Sequence, residues 1–413
     1  MVETAFFWQY LKLIMKVGII REGKVNVDTR VPLTPKQCRY LLDTYQDLQI
    51  FVQPSQERCF SDREYQSQGI PIKENMQECE LLLGVKEVPI SMLLPQKTYL
   101  FFSHTIKKQP YNRELLRSIL RQKIRLIDYE CLRNDRSQRV IAFGRWAGIV
   151  GAHNAILTWG RREGKFNLKP MHECHDWAEA QTYYQNLPLG NIKLVITGEG
   201  RVANGACELL DLMKIKKISP QAFLEQNFDE AVYTQLAVKD MYRKQGEAAF
   251  DENNYYQHPE EYVSNFEPFT HTANIMLNGI YWDKRVPAFF SKEDMKHSDF
   301  TIRVIADVTC DIAPDSSIPS TIRASSIDNP IYGYDPLLSQ ETEPFQNNCI
   351  DVMAVDNLPN ELPRDASVDF GNQLISIWSE LNQADSRMIY EGTIALDGKL
   401  NKPYEYLRDY VRL

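Results

Sequence analysis

The chain has 413 residues, enough for two or three domains at roughly 150 residues each, and 43% hydrophobic with 25% charged residues is the composition of an ordinary globular protein. Lys plus Arg total 47 against 55 Asp plus Glu, a formal net charge of −8. An acidic chain without a long basic run argues against nucleic-acid and membrane partners. Eight scattered cysteines with no C-x-x-C pair read as reduced thiols of a cytoplasmic protein. The apolar N-terminus begins with Glu3 and carries Lys12 and Lys16, so it is not a secretory signal; Met15 is the expected natural start, with residues 1–14 an adventitious extension.

From residue 16 onward, short apolar runs alternate with helical patterns. Lys16–Ile20 reads as a strand and Thr34–Tyr45 as a helix opened by Thr34 and Pro35. Further strands are expected at Gln49–Gln53, Leu81–Val85, Thr98–Ser103 and Arg125–Leu132. An amphipathic helix at Gln109–Gln122 carries Leu115, Leu116, Ile119 and Leu120 on one face. This alternation predicts a parallel sheet flanked by helices. Gly144–Arg162, with Gly148, Gly151 and Ala152, reads as a helix connecting the domains. A second series follows: strand Ile192–Thr197, turn Gly198–Ala203, helix Val202–Met213 and strand Lys214–Ile218. Strands at Ala231–Val238, Ala273–Trp282 and Thr301–Asp307 come next, then a helix Ala366–Asn382 capped by Asp365 and a helical tail Pro403–Leu413.

The most explicit motif is Gly198-Glu199-Gly200-Arg201-Val202-Ala203, a G-x-G-x-x-A between an apolar strand and a helix. Gly198 permits the tight turn, Gly200 lets a pyrophosphate approach the backbone, and Ala203 allows close helix–strand packing. The alternative is a plain tight turn in a domain that binds no nucleotide. An acidic residue for the ribose is missing after Lys214–Ile218, where Ser219 stands, so NAD and NADP both fit.

Ligands of open parallel sheets bind outside the carboxyl ends of the strands. Arg30, Lys86, His104 and Glu130 fall at those ends in the first series. A lysine leaving an apolar strand is a general-base candidate, a histidine a proton donor near neutral pH, and an arginine a fork for a carboxylate. Taken singly, each also fits a solvated or capping residue. His172-Glu173-Cys174-His175 matches no zinc spacing and reads as a surface loop, so no metal is expected.

Several strings resemble a known family. Val17–Glu22 with Asp28-Thr29-Arg30-Val31-Pro32-Leu33-Thr34-Pro35 is similar to the opening of the alanine dehydrogenase and transhydrogenase α-subunit superfamily. Gly84-Val85-Lys86-Glu87, Phe102–Gln109, Leu126–Glu130, Ala142–Gly148, His258–Tyr262, Asn278–Trp282, Ala306–Asp311 and Asp356–Pro359 resemble its saccharopine dehydrogenase (lysine-forming) branch. Within it they most resemble the lysine–2-oxoglutarate reductase half of aminoadipic semialdehyde synthase. The resemblance implies Lys86 as general base and His104 as general acid. It implies Arg30 as a substrate-carboxylate clamp, and Lys107, Gln109 and Phe143 as pocket residues beside Glu130. It also implies dinucleotide contacts from Gly200, Arg201, Val202, Leu277, Asn278 and Asp307.

The expected architecture is α/β, with two Rossmann-like domains of parallel sheets flanked by helices and separated by a cleft. A substrate domain would span 15–150 plus 360–413, and a dinucleotide domain 151–359. The reaction so implied joins lysine to 2-oxoglutarate and reduces the adduct with NAD or NADP to saccharopine, reversibly. Other readings are another amino-acid dehydrogenase of the alanine dehydrogenase type, or a non-catalytic dinucleotide-binding regulator, which loss of Lys86 or His104 would have favoured.

Overall fold

A computed structural model describes residues 16–23, 28–246, 249–381, 383 and 385–412, so the expectations for Met15 and the segment before it lie outside the described residues. The chain divides into two compact units. One holds the described residues up to Phe143 and those from Pro363 onward; the other is Gly144–Leu362.

The first unit is built on a seven-stranded sheet of β1 (Lys16–Ile19), β2 (Gln49–Val52), β3 (Leu81–Leu83), β4 (Thr98–Phe101), β5 (Arg125–Asp128), β16 (Thr393–Leu396) and β17 (Lys399–Leu400). The order is β17-β16-β5-β4-β3-β1-β2, parallel from β5 to β2, with β16 and β17 added antiparallel. Side chains alternate between two apolar cores. Val17, Ile19, Ile50, Val52, Leu81, Leu83, Leu100 and Ile127 enter one, and Phe51, Leu82, Tyr99, Phe101 and Leu126 the other. Successive strand residues point to opposite faces, so a run apolar throughout is what a sheet covered on both sides requires. Helix Pro35–Thr44 starts as expected, with a reciprocal capping box between Thr34 and Gln37.

The second unit holds an eight-stranded sheet of β6 (Lys193–Thr197), β7 (Lys216–Lys217), β8 (Val232–Leu236), β11 (Ile275–Asn278), β12 (Val304–Asp307), β13 (Ile331–Asp335), β14 (Gln340–Thr342) and β15 (Ile350–Met353). A small antiparallel pair, β9 (Tyr242–Lys244) and β10 (Tyr262–Ser264), accompanies it. The main order is β14-β13-β15-β12-β11-β6-β8-β7, parallel except for β13 and β14. The strand beside β6 is therefore β8, and β7 lies at the edge.

Helix Gly144–Glu163 belongs wholly to this unit. It is buried on nearly every face, as a core helix must be when no polar stripe is present. Its glycines set how closely it meets helix Arg201–Leu212: a methyl on Gly148 would lie 1.8 Å from the Val202 carbonyl oxygen, and one on Gly205 2.1 Å from that of Arg145.

Two expected helices differ in detail. Ala366–Asn382 is observed as Pro363–Ser376 followed by Trp378–Leu381, so Asp365 sits in the first turn, where its charge meets the helix dipole, and is not the cap. The tail is a 3-10 turn, Lys402–Leu407, continued by one α-turn, Arg408–Val411. Among the described residues no helix is long and apolar enough to cross a membrane.

Candidate active site

Four consecutive parallel strands, β1, β3, β4 and β5, end on the same edge of the first sheet. Arg30 lies in the segment after β1, Lys86 just after β3, His104 after β4, and Glu130 in the 3-10 turn Tyr129–Cys131 after β5. The sheet order thus brings to one edge the residues that sequence position alone placed at separate strand ends.

Arg30 is only 2% exposed and is gripped by Asp28: Nε donates to Oδ1 at 2.9 Å and Nη2 to Oδ2 at 2.5 Å. Its guanidinium lies 4.0 Å over the Phe143 ring, which stacks on Phe370 at 4.6 Å. Desolvation would raise the Asp28 pKa, but the charge and hydrogen bonds of Arg30, with the charge of Lys86, hold it at about 2. Asp28 escaped the sequence reading; its place two residues before Arg30 was the available signal.

Glu22 anchors the turn that carries Lys86. Its carboxylate accepts the Val85 N–H at 2.7 Å and the Lys86 N–H at 2.9 Å. The carboxyl group is enclosed by protein although part of the residue meets solvent. Desolvation, then the charge of Asp28, pushes its pKa up to about 8 against these bonds.

His104 has φ 51°, in the left-handed region that a β-carbon disfavours. Its Nδ1 is 2.7 Å from Oε1 of the buried Glu87, and its ring stacks parallel to Phe102 at 6.2 Å. A strained backbone is kept only where its surroundings over-determine it, and here the Glu87 bond and the Phe102 ring orient the imidazole. Glu87 follows Lys86 directly in sequence, a signal that the strand-end reading did not use.

Glu130 is buried; its Oε1 accepts from Arg139 at 2.7 Å and lies 3.9 Å from the exposed Lys107 ammonium. Its Oε2 is buried without a hydrogen-bond partner among the described residues, an acceptor of the kind a ligand donor satisfies. Asp128 fixes this turn by accepting the Glu130 N–H at 2.8 Å and the Ser103 N–H at 2.9 Å. Desolvation raises its pKa against those bonds. Gln109 is half-buried, with Oε1 accepting from Tyr111 at 2.6 Å and its carbonyl from the Tyr410 hydroxyl.

In the second unit β6 runs into Gly198, whose φ of 94° suits glycine. Gly200 is the N-cap of helix Arg201–Leu212, and no side chain caps it. A methyl on Gly200 would meet nothing within 4 Å, whereas Ala203 is fully buried against the sheet. An exposed glycine at an uncapped helix start, with open space where its side chain would be, fits a dinucleotide pyrophosphate. Gly200, Arg201 and Val202 would hold it.

The other expected dinucleotide residues are placed differently. Leu277, Asn278 and Asp307 are buried, and the polar pair is committed to a network across the ends of β6, β11 and β12. Thr197 donates to Asn278 at 2.7 Å, Asn278 to Asp307 at 2.9 Å and to Ser317 at 3.0 Å, and Thr321 to Asp307 at 2.7 Å. Desolvation pushes the Asp307 pKa up to about 6 against these bonds. Their side chains hold the loops in place. Among the described residues no cluster of His, Cys, Asp or Glu is arranged to hold a metal ion, and His172 instead lies 3.9 Å from the buried Glu361.

The chain is thus an α/β protein with a glycine turn between strand and helix in one unit and an ionisable strand-end edge on the parallel sheet of the other. The solved L-alanine dehydrogenase shares this fold over 96% of this chain and 100% of its own, with a TM-score of 0.65 at 16% identity. Residues 18–150 match the family described as alanine dehydrogenase/PNT, N-terminal domain.

Among curated proteins, the chain is 30% identical over 439 residues to alpha-aminoadipic semialdehyde synthase of Arabidopsis thaliana, covering 95% of this chain and 41% of that one. It is 25% identical over 391 residues to saccharopine dehydrogenase (NAD(+), L-lysine-forming) of Schizosaccharomyces pombe, covering 90% and 94%. The chain therefore spans less than half the length of the semialdehyde synthases it matches. The resemblance read from the sequence strings is borne out.

Proposed function

We propose that the chain is an NAD(P)-dependent oxidoreductase that interconverts L-lysine plus 2-oxoglutarate and saccharopine. The observation that carries this reading is the His104–Glu87 pair beside Lys86, at the ends of the adjacent strands β3 and β4. The likeness to the semialdehyde synthases and saccharopine dehydrogenases supports it.

Condensation needs a neutral amine. Lys86 in its neutral form takes the proton of the substrate ε-ammonium, whose nitrogen then attacks the ketone carbon of the 2-oxo acid. With Nδ1 held by Glu87, His104 uses Nε2 to protonate the carbinolamine hydroxyl, which leaves as water and generates the iminium. Bound NAD(P)H supplies the hydride that reduces this iminium. The buried Glu130 Oε2 accepts from a substrate ammonium, and Lys107 meets a substrate carboxylate with Gln109 and Phe143 alongside. Arg30, already paired to Asp28, contributes its fixed positive charge at the same edge. Each proton-transfer group contributes roughly 10²–10⁴-fold. The eight free thiols fit a reducing compartment such as the cytoplasm.

The test is oxidation of NADPH or NADH by the purified chain with lysine and 2-oxoglutarate, with saccharopine identified by mass spectrometry. Activity with another amine alone would assign a different dehydrogenase. Dinucleotide binding without turnover on any amine and 2-oxo acid would make the chain a regulator.

A further inference from the structure

Away from the candidate active site, the second unit holds an open-mouthed cavity of about 600 Å³ beside the far end of helix Arg201–Leu212. Gly200 stands at the start of that helix, and 12 residues at about 1.5 Å each set the cavity roughly 18 Å from the glycine turn. The volume is that of a small-molecule pocket. Tyr184 and Leu189, both buried, and the half-buried Met213 give it an apolar wall. The wall is fixed in advance: the Tyr184 hydroxyl lies 2.9 Å from Nδ1 of the fully buried His153, and its ring packs on Trp177 at 6.1 Å.

Gln181, Asn186 and Lys214 supply the polar border. Among the described residues none of these three side chains has a hydrogen bond or ion pair, and no carboxylate lines the cavity. The acids nearest in sequence are already engaged, Glu179 by Lys169 and by the His175 N–H at 2.8 Å, and Asp211 by the Tyr233 hydroxyl at 2.6 Å. Lys214 has φ 60°, the left-handed conformation that usually calls for glycine just past a helix. Its N–H donates to the Asp211 carbonyl at 2.9 Å and the Ile215 N–H to that of Leu210 at 3.0 Å, so backbone groups close the helix end. The ammonium is not needed by those carbonyls and remains for a ligand. A lone cation beside amide donors and an apolar wall, with no opposing acid, suits a carboxylate that carries a hydrocarbon tail.

We propose that this cavity is a second ligand site, taking a small carboxylate with an apolar tail: Lys214 pairs with the carboxylate, the Gln181 and Asn186 amides donate to it, and the tail lies on Tyr184, Leu189 and Met213. The proposal stands apart from the reductase reading, because none of these residues belongs to the glycine turn or to the first unit. The experiment is calorimetric titration of the full chain, without dinucleotide or substrates. Hexanoate is the probe, with hexanol and hexylamine as uncharged and cationic controls of the same length. Hydrogen exchange with mass spectrometry locates the binding. The variant is Lys214→Gly, which removes the ammonium and suits the left-handed backbone, so the fold is kept.

The expected result is hexanoate bound about tenfold or more tightly than either control, with protection at residues 181–189 and 210–215. Affinity should rise about twofold per methylene from butanoate to hexanoate, as a tail roughly half buried in an open cavity supplies. Lys214→Gly should weaken hexanoate binding about tenfold or more. Equal binding of the three probes, hexanoate affinity unchanged in Lys214→Gly, protection only elsewhere in the chain, or no binding at millimolar hexanoate would each overturn the proposal.

Discussion

Replacing Arg30 by methionine removes the charge while keeping much of the side-chain volume, and takes from the buried Asp28 carboxylate the guanidinium that grips it. Both residues are 2% exposed. Holding Asp28 at about 2, against an ordinary 3.8, is worth about 2 kcal/mol of native-state preference for the ionised form. Breaking a buried pair by deleting one partner costs about 3–5 kcal/mol, which includes the stranded charge. Loss of the contact over Phe143 adds about 1 kcal/mol. Arg30→Met should therefore destabilise the first unit by about 4–6 kcal/mol near neutral pH.

The pH dependence has a definite sign. A depressed carboxylate contributes stability above its unfolded pKa and loses it as pH falls through the folded value, so the unaltered chain loses this contribution between 3.8 and about 2. In Arg30→Met the Asp28 pKa rises, because the main opposition to desolvation is gone, and acidification toward roughly pH 4 shrinks the difference from the unaltered chain. Hydrogen exchange followed by mass spectrometry suits a chain of two units, since protection of β1, β3 and β4 reports the first unit alone. Asp28→Asn combined with Arg30→Met should recover more than half of the loss, because removing both charges leaves none buried alone. A loss below about 1 kcal/mol, or a double variant as unstable as the single one, would refute the reasoning.

Lys86→Met and His104→Gln should each lower kcat by roughly 10²-fold or more with dinucleotide affinity unchanged, checked by initial rates beside titrations; near-normal turnover in either removes its proposed role. Gly200→Val has an ordinary extended backbone to occupy and open space for its side chain, so thermal stability should hold within about 0.5 kcal/mol. The same branched group in the phosphate cradle should weaken NADPH binding about tenfold or more, and unchanged affinity would move the pyrophosphate elsewhere. Glu22 has a raised pKa, so its contribution to stability is full below 4.5 and is lost as pH rises through about 8. Glu22→Gln, which keeps an acceptor for the Val85 and Lys86 N–H groups, should flatten that decline between pH 4.5 and about 8 in denaturation profiles.

Short-range physics was legible in the sequence. The helix start at Thr34 and Pro35, the short apolar strands and the Gly198–Gly200 turn depend on residues a few positions apart, and the sequence contains all of those partners. Placement of Arg30, Lys86, His104 and Glu130 at strand ends needed only the strands and a parallel sheet. Tertiary structure decided the rest, because strand neighbours and charge partners are chosen across long stretches of chain. Ser103 joins Asp128, and an exposed lysine on an edge strand meets a glutamine on the next. Nothing local announces that β8 inserts between β6 and β7, that Gly148 and Gly205 mark a helix crossing, or that Asn278 and Asp307 spend their side chains on each other. Those outcomes follow from satisfying every buried polar group and filling every gap at once, a condition that the whole fold solves and no segment can.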